Sequence, residues 1–309
     1  MEKSKIFNGV SETDYKAFLE ACDADDYAHE FEFKRQGMVA FFDVLGYSKL
    51  AEDVSEDVIR VVMDALVQAR DEAKRLMYEI DKHEIPSLRF VQHDPDEIRT
   101  VNISDSIVVI DRFEDVMPFG ADGHLLREIS DSFCLYQFIQ FCRKLWDVLF
   151  VRGLPLRGAI STGTFYWNHE TIFAGRPFIE AYTTQESLSF SGLVLSKSAD
   201  VHKRVRLLLD KDCFSSKDLL SQDLCVPTKG SSGDDLTPMD VVIPGLPVLA
   251  FENLDDYVES RFKAHGKRIE EQRVKDVLKN TINIMRNAKR MTGHKVGDCV
   301  RQGLLCDIR

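Results

Sequence analysis

The sequence predicts an α+β fold, in which helices pack on a mixed β-sheet. An apolar stretch at 37–43 predicts a buried strand, and apolar residues at helical spacing over 48–82 predict a long amphipathic helix or two helices in sequence. The β-rich stretch 99–113 has a polar centre and predicts a hairpin. A helix over 132–150 and a strand over 154–167 follow. The hairpin in the middle of this order disfavours a purely parallel, doubly wound sheet.

The elements in the second half of the chain are shorter. Residues 171–188 predict a short strand followed by a helix, and 192–205 predict another strand and helix. The stretch 214–240 is rich in Ser, Asp and Gly, which predicts a surface loop. Residues 241–253 predict the last strand of the sheet, and the charged sequence from residue 254 onward predicts helix.

The length of 309 residues is enough for one large domain with extensions or for two modest domains. We expect an N-terminal helical extension at 1–36, a main domain at 37–253 and a C-terminal helical extension at 254–309. Hydrophobic residues make up 44% of the chain and charged residues 29%, which is typical of globular proteins.

The formal net charge is −11, so the protein has no long-range field that attracts duplex nucleic acid. A nucleic-acid partner is therefore not expected. The same charge repels a nucleoside triphosphate unless a divalent cation neutralises the phosphates locally. Nucleotide chemistry on this chain is therefore expected to need a metal.

The seven cysteines form no CxxC pair, and several lie inside apolar runs. This pattern indicates buried, reduced thiols, as in proteins of the cytosol. No signal-peptide pattern and no apolar run of membrane-spanning length is present. We therefore expect a cytoplasmic protein that makes no contact with a membrane.

Two aspartates are the candidate metal ligands. Asp43 ends the predicted strand 37–43, and Asp105 lies at or near the tip of the hairpin 99–113. If the two elements are neighbours in one sheet, both carboxylates lie at the same end. Paired carboxylates are costly as bare anions but suit Mg²⁺ or Mn²⁺, and two such ions can promote an in-line displacement at phosphorus. The alternative for either aspartate alone is a helix cap or turn residue.

The residues after the first aspartate suit a phosphate site. Val44, Leu45, Gly46, Tyr47 and Ser48 lie at the predicted entrance to a helix, where free backbone N–H groups and the helix dipole favour anions. Gly46 allows the backbone to approach the phosphates closely. The Val44 carbonyl is well placed as an additional metal ligand.

Four motifs in order resemble class III nucleotidyl cyclases, over about residues 37–253. They are FFDVLG (41–46), ISDSIVVI (103–110), LRGAISTG (156–163) and FAGRPFIEAY (173–182). The resemblance implies a ferredoxin-like βαββαβ core and a catalytic site formed at the interface of a homodimer. It also implies that two metal ions, held by both aspartates, activate the 3′-hydroxyl and bind the β- and γ-phosphates.

The chain departs from the usual pattern of the family at three positions. Family helices after the fourth motif carry an Asn and, four residues later, an Arg, where this sequence has Glu180 and Thr184. Ser104 replaces the usual Gly before the second aspartate. The variant motifs, with Tyr47 directly after the first Gly, look more like the pyrimidine cyclases of bacterial Pycsar antiphage defence. That resemblance implies a Mn²⁺-dependent homodimer that converts UTP to 3′,5′-cyclic UMP and diphosphate.

The remaining site residues are predicted by the roles that this reaction requires. The candidate cations for the charge that develops at phosphorus are Arg176, Arg157 and Lys197. The sequence does not choose among them, and Arg176 is taken as the catalytic residue. Arg157 can also bind substrate or make a structural ion pair. Arg99 can donate hydrogen bonds to the uracil carbonyl oxygens, and Tyr47 can fill the pocket around the small base; the alternatives are a solvated arginine and a rim tyrosine.

Three other functions are compatible with the sequence. A cytidylate cyclase that makes cyclic CMP from CTP needs the same machinery. A degenerate cyclase domain that binds nucleotide without turnover fits the missing Asn and Arg, although it has little reason to keep paired carboxylates. A polymerase-like palm shares the two-aspartate hairpin, but the acidic charge and the lack of a basic channel disfavour it.

Overall fold

The computed structural model shows one mixed β-sheet with helices on both faces. It describes residues 34–45, 56–82, 98–103, 106–113, 123–168, 172–197, 220–229, 236–249, 251–264 and 272–292. The strands described are β1 (Lys34–Val44), β2 (Arg99–Ile103), β3 (Ser106–Arg112), β4 (Leu156–Asn168), β5 (Ile172–Gly175), β6 (Gly192–Leu195), β7 (Leu220–Pro227) and β8 (Leu236–Val242). The helices described are α1 (Glu56–Lys82), α2 (Gly123–Val151), α3 (Arg176–Ser187), α4 (Leu246–Leu249), α5 (Leu254–Lys263) and α6 (Gln272–Thr292).

The first four strands and first two helices form the predicted ferredoxin-like βαββαβ core. Strand β1 pairs antiparallel with β3 on one side and with β4 on the other, and β2 pairs antiparallel with β3. The strand order of the whole sheet is β2-β3-β1-β4-β6-β8-β7. Strand β5 lies outside this order and pairs with β4. Because β6 runs parallel to β4, the sheet is mixed. The predicted α+β class is therefore confirmed.

Strand β1 is covered on both faces, which explains its unbroken apolar run. Met38 and Phe42 belong to the main core, which also contains residues of α1 and α2. Val39 and Phe41 point to the opposite face, where they pack with residues of α3. Packing on both faces therefore holds the central strand in place, and with it Asp43 near its end.

Helix α2 is apolar around most of its circumference because it lies between other elements. It packs against α1, and Phe138, Phe141 and Trp146 are almost fully buried in the main core. The Trp146 indole N–H donates to the Leu156 carbonyl oxygen at 3.0 Å, which satisfies its one polar group. No helix in the described ranges is both long and apolar enough to cross a bilayer.

Helix α3 covers the opposite face of the sheet. It begins after Gly175, whose φ of 154° favours glycine, and Pro177 lies in its first turn, where proline is well tolerated. A Cβ at Gly175 would lie 2.8 Å from the Phe165 Cα, so the tight β5–α3 connection requires glycine. Tyr182 packs edge-on against Phe41, which orients the helix across β1 and β4.

The C-terminal helices share the main core. Leu254, Tyr257 and Phe262 of α5 and Leu278 and Met285 of α6 pack in the same cluster as the residues of β1 and α2. The boundary at residue 253 remains a prediction about domain organisation. The shared core means that the described part of 254–309 is held against the main domain.

Two sequence predictions about the second half of the sheet were wrong. Strand β7 lies inside the stretch predicted as a loop over 214–240, because pairing with β8 overrides the low strand propensity of its Ser and Asp. The predicted last strand at 241–253 contributes only Val241 and Val242 to β8, and the helix α4 follows. The predicted helix after β6 and the N-terminal helices lie outside the described residues.

Buried Asp147 makes stability depend on pH. Both of its carboxylate oxygens accept from the Gly245 N–H, at 2.9 and 3.0 Å, and burial raises its pKa to about 6 despite the nearby charge of Arg143. The folded-state pKa of Asp147 exceeds the unfolded value of about 3.9. Its contribution to the free energy of unfolding is therefore fully present below pH ~4 and is lost as the pH rises through ~6.

Asp147→Asn is therefore expected to gain stability relative to the wild type as pH rises. The asparagine oxygen keeps an acceptor for the Gly245 N–H but carries no charge to desolvate. Between pH 5 and 7.5, we expect the difference in unfolding free energy to shift by about 1 to 1.5 kcal/mol in favour of the variant. Urea denaturation at both pH values measures it, and an equal difference at the two would contradict the expectation.

Candidate functional site

The candidate site is a row of three paired residues at one end of the sheet. Asp43, near the end of β1, pairs with Ser106 of β3 on one side and with Arg157 of β4 on the other. Side chains of directly paired residues project from the same face of a sheet. The alternation of β1 places Asp43 on the face of Val39 and Phe41, which is the face that α3 covers.

Arg157 binds Asp43 directly. Its Nε donates to Asp43 Oδ2 at 2.7 Å, and its Nη2 lies 2.6 Å from the same oxygen. Its Nη1 donates to the Leu188 carbonyl oxygen at 3.4 Å, at the end of α3. The side chains of Arg157 and Asp43 are 13% and 16% exposed, so the ion pair is well shielded from solvent. The structural ion pair considered for Arg157 is therefore present.

Asp105 lies outside the described residues, and the strand register places its neighbours at the site. Strand β2 ends at Ile103, β3 begins at Ser106, and these two residues pair with each other. Ser106 follows Asp105 directly and is the cross-strand partner of Asp43. The joint metal site of Asp43 and Asp105 remains a prediction. Among the described residues alone, no group of three potential metal-ligating side chains occurs.

The turn after β1 differs from the predicted phosphate loop at Leu45. The Leu45 N–H donates to the Pro155 carbonyl oxygen at 2.9 Å, so it is not available for a phosphate. Val44 ends the ladder opposite Leu156, and its side chain is buried. Gly46, Tyr47 and Ser48 lie outside the described residues, so their predicted contacts with substrate remain predictions.

Arg99 lies on the same face as Asp43 but further along the sheet. It pairs with Ile110 of β3, which in turn pairs with Val39 of β1. Val39 is four residues from Asp43, a separation of ~13 Å at the usual rise of a strand. Arg99 is exposed. Val39 and Ile110, which lie between Arg99 and Asp43, are buried against α3, so the sheet face between the two residues is covered.

Arg176 lies at the opposite end of β4 from Arg157. It follows Gly175, which pairs with Phe165, and Phe165 is eight residues, or ~26 Å, along β4 from Arg157. Its side chain is 85% exposed and forms an ion pair with Glu180 at 2.6 Å. The structure does not bring Arg176 to Asp43 within one chain.

Lys197, a candidate cation, and Glu180, which stands near the place of the family asparagine, also lie away from the row. Strand β6 begins at Gly192, which pairs with Arg157, and it runs parallel to β4. Lys197 comes after the end of β6, so it lies away from the end of the sheet that carries Asp43. Glu180 is occupied by structural contacts, because it accepts a hydrogen bond from Ser161 at 2.8 Å as well as binding Arg176.

Lys229 is a cation near the row that the sequence did not reveal. Its backbone N–H donates to the Ser187 carbonyl oxygen at 2.6 Å, beside the Leu188 carbonyl that Arg157 binds. Partial burial, followed by the charges of Arg157 and Arg273, lowers the pKa of Lys229, while Glu186 and Asp43 oppose that shift. The ammonium group therefore lies within electrostatic reach of Asp43 and Arg157.

The donors at the row suit a hard divalent cation. Asp43 supplies carboxylate oxygens, and Val44 supplies a backbone carbonyl at the end of the ladder, both of which Mg²⁺ and Mn²⁺ accept as ligands. Sulfur and imidazole ligands, which softer metals prefer, are not among the described residues of the row. The residues present therefore fit the predicted metal, with Arg157 as the group that now neutralises Asp43.

Comparisons with known proteins return solved cyclase structures. No protein-family model matches the chain, and no curated protein matches it significantly. The adenylyl cyclase CyaB from P. aeruginosa is 16% identical, with a TM-score of 0.35, covering 69% of this chain and 95% of that one. The guanylate cyclase domain of RhGC from Catenaria anguillulae, in complex with GTP, is 11% identical, with a TM-score of 0.36 and coverages of 67% and 96%.

A further similar structure is the guanylyl cyclase Cya2. It is 14% identical and has a TM-score of 0.30. The matched region covers 69% of this chain and 95% of the Cya2 chain. At these identities and TM-scores, the likenesses carry no argument about substrate or reaction. Conclusions about function therefore rest on the residues at the sheet end and on the motifs that place them there.

Proposed function

We propose that the protein is a nucleotidyl cyclase that converts UTP to 3′,5′-cyclic UMP and diphosphate. The observation that supports the proposal best is the row at the sheet end, where Asp43 lies between Arg157 and the residue that follows Asp105. A carboxylate next to a hairpin that carries a second carboxylate, with cations beside it, suits a metal-bound triphosphate. The order of motifs that resembles class III cyclases supports the same reaction.

The chain's own residues hold the substrate for an in-line displacement. Asp43, Asp105 and the Val44 carbonyl would hold a divalent ion, Mn²⁺ or Mg²⁺; bound ions of this kind would supply Lewis-acid activation of the substrate's 3′-hydroxyl and charge neutralisation of the diphosphate. Arg157 and Lys229 place positive charge beside the phosphates. The 3′-oxygen forms a bond to the α-phosphorus, the bond to diphosphate breaks, and the hydroxyl proton passes to solvent.

Positioning and charge neutralisation supply most of the catalysis in such a reaction. Arg157 is held by two contacts to Asp43 and one to the Leu188 carbonyl, so its guanidinium is oriented before substrate binds. With the Asp43 carboxylate bound to a divalent ion instead, the same guanidinium would be free to turn towards a phosphate oxygen.

Arg99 supports the choice of a pyrimidine base. Its guanidinium offers only donors, and uracil presents two carbonyl acceptors, O2 and O4. Val39 and Ile110, between Arg99 and Asp43, are buried against α3, so this contact with the base is proposed from the residue type and not from the sheet geometry. Tyr47 is the second candidate for contact with the base. Cytosine keeps the O2 acceptor, so CTP is the alternative substrate.

A homodimer is the form in which Arg176 could reach the substrate. Within one chain, Arg176 is at the opposite end of β4 from Asp43, so it can act on the substrate only from a second copy. The resemblance to class III cyclases implies an interface site of this kind. The resemblance to Pycsar cyclases further supports a role in which the cyclic nucleotide is a messenger of antiphage defence in the cytoplasm.

The direct test is to incubate the full chain with Mn²⁺ and each of the four ribonucleoside triphosphates in turn. Mass spectrometry of the products should detect cyclic UMP from UTP, with less or no cyclic product from ATP and GTP. Cyclic CMP as the main product would identify CTP as the substrate and would leave the proposed cyclase reaction unchanged. Absence of any cyclic product would overturn the proposed activity.

One observation favours a nucleotide-binding domain without turnover as the second candidate. Glu180 stands near the place of the family asparagine, and its contacts with Ser161 and Arg176 leave it bound to the protein rather than to a ligand. In that case, UTP with Mn²⁺ would raise the melting temperature in the incubation above without forming product.

A further inference from the structure

A short segment at the end of α3 connects the candidate site to the C-terminal helix. This segment, Ser187–Ser191, holds Arg157 through the Leu188 carbonyl and holds the end of β7 through backbone hydrogen bonds of Ser187 and Ser189. Ser191 Oγ donates to the Leu156 carbonyl oxygen at 2.7 Å, next to Arg157 in β4. The segment is therefore fixed beside the row that contains Asp43.

Helix α6 docks on the same segment. Asn280 Nδ2 donates to the Ser189 carbonyl oxygen at 3.0 Å, and the Ser191 N–H donates to Thr281 Oγ1 at 2.8 Å. Thr281 is fully buried and also donates to the Val277 carbonyl oxygen. These contacts fix both the position and the rotation of α6 next to the candidate site.

The docking orients Arg273 towards the site. Arg273 precedes Asn280 by seven residues, or two helical turns, so both project from the same side of α6, ~10 Å apart along its axis. The same side faces Ser189 and the adjoining end of β7, which continues to Lys229. Arg273 and Lys229 are both exposed, and the charge of Arg273 helps to lower the pKa of Lys229.

Three cations therefore lie near one another beside the sheet end that carries Asp43. They are Arg157 of β4, Lys229 after β7 and Arg273 of α6, and each comes from a different part of the chain. Glu186 is the other described carboxylate within electrostatic reach of Lys229, and it is exposed. Once a divalent ion binds Asp43, the positive charge exceeds the negative charge, which favours a polyanion.

We propose that Arg273 of the C-terminal helix binds the terminal phosphates of the nucleoside triphosphate, together with Lys229 and Arg157. This inference rests on the proposed function and assigns a role to the C-terminal extension. A guanidinium suits the outer phosphates, because its planar set of donors matches two phosphate oxygens at once. The helix then couples the C-terminal segment to occupancy of the site.

The test is calorimetric binding of inorganic triphosphate to the full chain in the presence of Mn²⁺. Arg273→Gln should weaken this binding on the order of tenfold, as expected for the loss of a charge-assisted contact. Arg273→Lys keeps the charge and should restore part of the affinity. The matched control is Lys275→Gln, because Lys275 is exposed on the opposite side of α6 and its loss changes the net charge equally.

Unchanged binding by Arg273→Gln would overturn the inference, and so would equal weakening by Lys275→Gln, which would indicate a diffuse charge effect. Failure of the wild type to bind triphosphate would overturn it as well. Formation of cyclic product is measured separately on the same variants. If the wild type makes none while Arg273→Gln still weakens triphosphate binding, the inference stands and the cyclase activity fails.

Discussion

Asp43→Asn is expected to lower the rate of cyclic nucleotide formation by at least about a hundredfold, because a metal ion contributes several kcal/mol of charge stabilisation to the transition state. An amide is a poor ligand for a hard divalent ion and brings no negative charge to the site. The turnover number with saturating UTP and Mn²⁺ measures the effect.

The fold is expected to survive this substitution. The amide oxygen of the introduced asparagine can still accept a hydrogen bond from Arg157, and its side chain has nearly the same volume as aspartate. The matched control is Asp64→Asn, an exposed carboxylate on α1 that should leave the rate unchanged. Wild-type turnover by Asp43→Asn would contradict the proposed role, and so would an equal loss in Asp64→Asn.

Arg157→Gln is expected to have the second largest effect, and it should change metal and nucleotide binding in opposite directions. The Asp43 carboxylate loses the guanidinium that now neutralises it, so its affinity for Mn²⁺ should rise. The phosphates lose a positive contact, so kcat/KM for UTP should fall by roughly tenfold to a hundredfold. Calorimetry with Mn²⁺ alone and steady-state kinetics separate the two effects.

The same variant should also be less stable in the absence of metal. Removing one partner of a shielded ion pair leaves the other charge without compensation, at a cost of about 1 to 3 kcal/mol. Added Mn²⁺ should recover more of this stability in Arg157→Gln than it adds to the wild type. Arg157→Lys keeps the charge but loses the two contacts to one oxygen. Its stability without metal should therefore lie between those of the wild type and Arg157→Gln.

The control for Arg157 is Arg60→Gln, an exposed arginine on α1. It should leave metal affinity and kcat/KM at the wild-type values. Weaker Mn²⁺ binding by Arg157→Gln, or unchanged kcat/KM, would show that the guanidinium does not alternate between the carboxylate and the phosphates.

The core of the fold follows from local patterns because few alternatives compete with them. The apolar run at 37–43 gave the central strand to within a few residues, and the polar centre of 99–113 gave the β2–β3 hairpin. Strand β7 was missed because its sequence, LSQDLCVP, has little strand propensity of its own. Pairing with β8 fixes it, and that long-range contact leaves no mark in a short window.

The site was predictable only in part for the same reason. Asp43 next to the hairpin follows from placing two adjacent elements in one sheet, and the register agrees. Lys229 could not be placed, because it lies at the end of the unpredicted β7. Arg176 was one of three candidate cations, but the length of β4 carries it to the far end of the sheet.

The Leu45 amide shows a different limit. A glycine-containing turn before a helix indicates free backbone donors, and the sequence offers no sign that one of them is already used. The hydrogen bond from Leu45 to the Pro155 carbonyl depends on how β4 begins beside the end of β1. Such a contact between distant segments is set by the tertiary structure alone.

The most direct test is a crystal structure of the full chain with Mn²⁺ and a non-hydrolysable UTP analogue, using the anomalous signal of manganese. The predicted result is a manganese peak within about 2.0 to 2.4 Å of carboxylate oxygens from both Asp43 and Asp105, close to the phosphates of the analogue. A peak bound elsewhere, or the two carboxylates directed into separate regions, would contradict the shared metal site.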